Sequence, residues 1–278
     1  MLFKSFQPCE ELAPYVQSYQ VRHFLLMSAI RPVAKPYVVR PEETIAFYVR
    51  GREQTRIISQ GKTILRPRAT VTGQWSARID RSSVDDEFLL VQVIFKPGGL
   101  FKLTRIPSYE LADNHTDLSD IYPVETRSLF NRFDERVDYN EIINCIDAFL
   151  KKLLSSSRTE HHPFEMALTC LSGEEPTSIS KLAADACLSV RQFERKALSY
   201  LGIPCSAYQR ISRFAESFKL KTKQPHRSWV EIAIHSGYYD YQHLVRDYQA
   251  LAFAKPKSLF EADQGSLEKI LKLGDGYS

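Results

Sequence analysis

The chain has 278 residues and a formal net charge of +4, with 44% hydrophobic, 25% charged and 12% aromatic residues. This balance belongs to a soluble globular protein with material for about two domains, and disorder is not its default. There is no run of ~18 or more apolar residues, and the start, MLFKSFQPCEELAPYV, lacks the features of a secretory signal, so a cytoplasmic location with no membrane partner is expected.

The N-terminal part reads as strands. TIAFYVR (44–50), RIISQGKTIL (56–65), ATVTGQW (69–75) and FLLVQVIF (88–95) are short and rich in β-branched and aromatic residues, with turn residues between them. The second is expected to be a hairpin turning at Gln60 to Lys62. Arg50, Arg52, Arg56, Arg66, Arg68 and Arg78 give this region a basic tilt that could favour an anionic effector. Alternate strand positions normally face solvent, which is the plainer expectation for them.

From Pro97 the apolar spacing changes to three and four. Pro97, Gly98 and Gly99 are expected to turn the chain into a helix. Further on, Ile142, Ile146, Phe149 and Leu153 make one helical stripe. SSSRTEHHP (155–163) is polar and ends in Pro, so it reads as the domain boundary. The expected division is a β-rich domain over 1–158 with helices at about 125–154, a helical domain over 159–264, and a tail over 265–278.

Beyond the boundary the helices announce their own ends. Ser178 caps ISKLAADACL, and Ser189 caps VRQFERKALSYL, which stops at Gly202. A helix from Ser206 to about Lys221 follows. Ser228 and Glu231 make a capping box for WVEIAIHS, ended by Gly237; Asp240 then caps YQHLVRDYQAL, with Pro256 beyond it. Helix, tight turn and helix therefore occur twice.

In each second helix a buried stripe is expected: Phe193, Ala197 and Leu201 in one, Leu244, Tyr248 and Leu251 in the other. Arg191, Gln192, Glu194 and Arg195 are left outside in the first, and Tyr241, Gln242, Val245 and Arg246 in the second. Arg can grip guanine, Gln adenine and Glu the cytosine amino group from the major groove. These groups lie near the helix N-termini, the ends that enter the groove in a helix-turn-helix. Thr177 to Phe260 carries 13 Lys and Arg against 6 Asp and Glu, as a phosphate-facing unit needs.

ISKLAADACLSVRQFERKALSYLGI and WVEIAIHSGYYDYQHLVRDYQALAFAKP together resemble the C-terminal domain of AraC/XylS-type transcriptional regulators. The resemblance implies base contact by Arg191, Glu194 and Arg195 in the first unit and by Tyr241, Gln242, His243 and Arg246 in the second. Ala197, Phe253 and Pro204-Cys205 depart from the family pattern. PCEELAPYVQSYQ and VQVIFKPGGLFKLTRIPSYELADNHTDLSDIY resemble a sensor-type domain that precedes some of these regulators. That implies a small β-barrel or cupin-like domain followed by helices.

The expected fold is therefore α+β: an N-terminal antiparallel β-barrel or cupin-like domain with helices, and a C-terminal all-α domain with two helix-turn-helix motifs. The expected function is sequence-specific binding of double-stranded DNA by a transcriptional regulator, with a small-molecule effector, a homodimer partner and RNA polymerase as further candidate partners. The alternative is a small-molecule-binding protein or enzyme built on the barrel, with the helical domain as an attachment. A third reading is an assembly protein whose helices at 125–154 form a dimer interface. Common hydrolase, nucleotide and dinucleotide signatures are missing. The scattered cysteines, Cys9, Cys145, Cys170, Cys187 and Cys205, and the seven histidines show no metal-site spacing. No catalytic residue, metal or cofactor is expected, and the five thiols are expected to be reduced.

Overall fold

The computed structural model describes residues 2–25, 35–133, 138–155, 163–172 and 177–264. The expected boundary at 158 and the tail at 265–278 lie outside the described residues.

The N-terminal region runs β1 (Leu2–Phe6), β2 (Val16–Leu25), β3 (Lys35–Tyr37), β4 (Thr44–Arg50), β5 (Glu53–Ile57), β6 (Lys62–Leu65), β7 (Ala69–Thr72), β8 (Ile79–Ser83) and β9 (Glu87–Phe95). Then follow α1 (Gly99–Thr104), β10 (His115–Asp117), α2 (Leu118–Ile121), α3 (Pro123–Phe133) and α4 (Tyr139–Ser155). One sheet has the order β1-β2-β9-β4-β7-β10 and the other β3-β8-β5-β6, with antiparallel pairing throughout. A hairpin is present, but its turn comes earlier than Gln60 to Lys62: Lys62 already pairs with Ile57, and a 3-10 turn at Ile58–Gln60 followed by Gly61 closes it.

Alternation along the central strands builds two cores. Ile45, Phe47 and Val49 of β4 and Val91, Val93 and Phe95 of β9 pack with Phe133, Ile142, Ile146 and Phe149 of α3 and α4. The intervening Ala46 and Tyr48, with Phe88 and Leu90, form a separate cluster on the other face. Gly99 lets β9 turn into α1, since a Cβ there would stand 2.2 Å from the Tyr15 carbonyl oxygen.

The arginines need a correction. Arg66 is buried, as is Arg81. Glu53 holds both: Arg66 Nη1 and Arg81 Nε each donate to Glu53 Oε2 at 2.8 Å, and the Tyr48 hydroxyl donates to the same oxygen at 2.7 Å. Burial opposes ionisation of Glu53, but the two guanidiniums overcome it and lower its pKa to about 2. Burial and both guanidiniums hold the neighbouring His115 imidazole well below its usual range, hence neutral. Arg66 also reaches Thr72 through Nη2 at 3.0 Å, so the network ties the two sheets together.

The C-terminal region is all helix: α5 (Pro163–Thr169), α6 (Ile179–Asp185), α7 (Val190–Leu201), α8 (Cys205–Lys223), α9 (Trp229–His235), α10 (Tyr241–Ala252) and α11 (Pro256–Gln264). The chain is thus an α+β protein with an antiparallel N-terminal β unit and a helical C-terminal unit. Phe193, Phe214, Phe218, Leu244 and Tyr248 lie at the heart of the helical core. Val38, Val39, Ile57, Trp75 and Ile79 of the N-terminal unit belong to the same cluster.

Candidate nucleic-acid interface

The two helix pairs are built on one plan. Ser178 and Ser228 cap α6 and α9, their hydroxyls accepting from the backbone N–H of Lys181 and Glu231. Leu182 and Ala183 are buried in α6, and Ile232 and Ala233 occupy the same positions in α9. In both turns one N–H returns to the buried alanine: Leu188 to the Ala183 carbonyl at 2.9 Å, and Tyr238 to the Ala233 carbonyl at 3.0 Å. Cys187 (φ 54°) and Gly237 (φ 74°) sit at equivalent left-handed positions.

Ser189 and Asp240 then cap α7 and α10, accepting from the N–H of Gln192 and His243 respectively. Ser189 directly follows Leu188, whereas Tyr239 intervenes between Tyr238 and Asp240. The second turn is therefore one residue longer. The extra residue, Tyr239, is 92% exposed.

Both expected stripes are buried: Phe193, Ala197 and Leu201 in α7, and Leu244, Tyr248 and Leu251 in α10. Arg191, Gln192, Glu194 and Arg195 are exposed, as are Gln242 and Arg246, while Tyr241, His243 and Val245 are half-buried. Gln192 has a structural task, because its Oε1 accepts from the Ser189 N–H at 3.0 Å and the Ser189 hydroxyl at 2.9 Å. His243 occupies the same register position and sets its ring edge-on to Tyr238 at 5.4 Å. Among the described residues, Arg191, Arg195, Gln242 and Arg246 have no ion pair or side-chain hydrogen bond, leaving their donors available.

Residues not singled out as contacts hold α10 in place. Arg210 of α8 donates through Nε to Asp247 Oδ1 at 2.7 Å, and the Arg213 guanidinium lies 5.5 Å from the centroid of the Tyr238 ring. Burial of the Tyr238 phenol and, after it, the neighbouring Asp247 carboxyl push the Tyr238 pKa upward. An Arg at 210 opposite an Asp at 247 is invisible to a local reading because 37 residues separate them.

The C-terminal ends of α7 and α10 meet the N-terminal unit. Past α1, Ser108 donates its hydroxyl to the Tyr200 carbonyl at 3.1 Å, and the rings of Phe101 and Tyr200 lie 4.4 Å apart. The Arg78 N–H donates to the Leu251 carbonyl at 2.7 Å. Tyr208 of α8 donates to the Pro41 carbonyl at 3.2 Å, and Lys102 pairs with Glu165 of α5.

Among the described residues, no three His, Cys, Asp or Glu side chains gather to hold a metal ion. No described helix is long and apolar enough to cross a membrane. All five cysteines are free thiols.

No family model matches the chain, and no curated protein matches it. Among solved structures, ToxT from Vibrio cholerae O395 aligns with 89% of this chain and 98% of its own, at 13% identity and a TM-score of 0.47. ToxT from Vibrio cholerae in another crystal form gives 12% identity, 88% and 98% coverage and a TM-score of 0.47. Wild-type ToxT of Vibrio cholerae strain SCE256 with bound unsaturated fatty acid gives 15%, 88% and 96% coverage and 0.45.

Proposed function

We propose that the protein is a sequence-specific DNA-binding transcriptional regulator of the AraC/XylS type, acting by binding rather than by catalysis. Residues 159–264 form the DNA-binding unit, and α7 and α10 enter successive major grooves by their N-terminal ends. The observation that carries this reading is the repeated, separately capped helix-turn-helix whose second helices offer unpaired Arg191, Arg195, Gln242 and Arg246 to solvent. Backbone N–H groups of the first helical turn add phosphate contacts. The joining helix α8 has 19 residues, or about 28 Å at 1.5 Å per residue, a span compatible with the ~34 Å groove repeat.

The N-terminal unit, residues 1–158, has the regulatory role in this proposal. A small-molecule effector or a second copy of the chain bound there would act through the seam at Ser108 and Arg78. It would shift the balance between arrangements that differ in DNA affinity.

Fluorescence anisotropy with promoter duplexes tests the reading. Binding should weaken steeply from 50 to 200 mM salt as counterions are released, and Arg246→Ala should cost about tenfold or more in affinity for the preferred sequence. Weak, salt-insensitive binding that Arg246→Ala leaves unchanged refutes it.

A further inference from the structure

Because both reading helices start at a defined cap, their side chains can be compared position by position. Counting from Ser189 and Asp240, the third residue is Gln192 in α7 and His243 in α10. Each gives its backbone N–H to the cap, and each side chain is engaged locally. The sixth residue is the same in both units, Arg195 and Arg246, and both are exposed. The second and fifth residues differ: Arg191 and Glu194 in α7, Gln242 and Val245 in α10.

Those differences sort by base pair. Arg191 can donate two parallel bonds to guanine, and the Glu194 carboxylate can accept from the cytosine amino group while finding no donor at thymine O4. Gln242 matches adenine N6 and N7, and Val245 offers methyl groups to the thymine methyl. The extra, fully offered ring of Tyr239 enlarges the apolar surface at the leading end of α10.

We infer that the DNA site consists of two unlike boxes, one centred on G·C pairs and read by α7, the other on A·T pairs and read by α10. The inference rests on the DNA-binding reading above and names the composition and asymmetry of its target. Arg195 and Arg246, shared by both units, make the contacts common to the two boxes.

The test is selection of bound duplexes from a random pool by the full chain, followed by sequencing. It is run with wild type, with Gln242→Arg/Val245→Glu, and with the reciprocal Arg191→Gln/Glu194→Val. All four positions lie on the surface or half-buried, and matching thermal unfolding establishes that the variants keep the fold. Wild type should enrich two boxes about 10 base pairs apart, one holding G·C and the other A·T. Gln242→Arg/Val245→Glu should move only the A·T box towards G·C, with a preference change of about tenfold, and the reciprocal pair should move only the other box. Two boxes of like composition, a palindrome, or boxes unmoved by either exchange overturn the inference while leaving the DNA-binding reading intact. Failure to enrich any sequence overturns both.

Discussion

Glu43 carries an unusual electrostatic burden for one side chain. It is buried at the start of β4, and neither carboxyl oxygen has a well-formed hydrogen bond among the described residues. Ser108 lies beside it but gives its own proton to the Tyr200 carbonyl. Burial raises the Glu43 pKa from 4.5 to about 8. The folded protein therefore keeps a proton that the unfolded chain releases, and stability falls as pH rises from 4.5 through 8. The contribution is complete below the lower value and gone above the upper one. Denaturant titrations at pH 7 and pH 8.5, above the range in which the neutral His115 matters, should show a loss of about 1 kcal/mol in wild type and a much flatter profile in Glu43→Gln. An unchanged slope in the variant would remove Glu43 as the cause. Glu53 has the opposite sign: its pKa of about 2 gives stability that is present above the ordinary carboxylate range and lost in acid. A buried Arg66 or Arg81 could not be foreseen, because arginine in a strand is ordinarily a surface residue, and Glu53 becomes its partner only once β5, β8 and the segment after β6 have come together.

At the level of elements, the repeated helix pair shows where backbone strain resides. Cys187 holds at φ 54° the place that Gly237 fills in the second unit, and Phe253 ends α10 at φ 54° where Gly202 ends α7. A side chain in the left-handed region costs roughly 1–2 kcal/mol, partly balanced by the greater chain entropy of glycine. Cys187→Gly and Phe253→Gly should each raise stability by up to about 1 kcal/mol, measurable as a higher melting temperature; a fall would show that the side chains contribute more than the strain removes. The same elements explain what was legible. Caps at Ser178, Ser189, Ser228 and Asp240, with their apolar stripes, act within one or two turns, so those helices could be read from the chain directly. β3, β8 and β10 hold Pro36, Asp80 and His115, which do not favour strands; they are extended because β8, β5 and β7 pair with them. α11 is less legible in the sequence: Pro256, lying beyond α10, is its first residue, a place proline suits because the first helical N–H has no partner. The exposed faces of α7 and α10 are legible in the sequence except at Tyr241, which packs half-buried against the helical core, and Val245, also half-buried; the capping duty of Gln192 and the added residue Tyr239 show only in the register of the two units.

Across the whole molecule, the core of the helical unit contains Val38, Val39, Ile57, Trp75 and Ile79 from the β unit. Domains joined by small polar interfaces often unfold separately, but a shared apolar core couples them. Calorimetry of the full chain should therefore give one main transition, with Trp75 fluorescence, isolated in a Trp229→Phe variant, changing at the temperature at which helical circular dichroism is lost. Two well-separated transitions would contradict this coupling. The seam also holds α7 and α10 at the ends opposite the surfaces offered to solvent. Each helix has 12 residues, making it a rod of about 18 Å. Pivoted near Tyr200 or Leu251, such a rod swings its far tip by about 1.5 Å for a tilt of roughly five degrees, given that length. A movement of this size exceeds the tolerance of a hydrogen bond, so under the proposed function a small shift at Ser108 or Arg78 would be geared up into the gain or loss of a whole row of contacts.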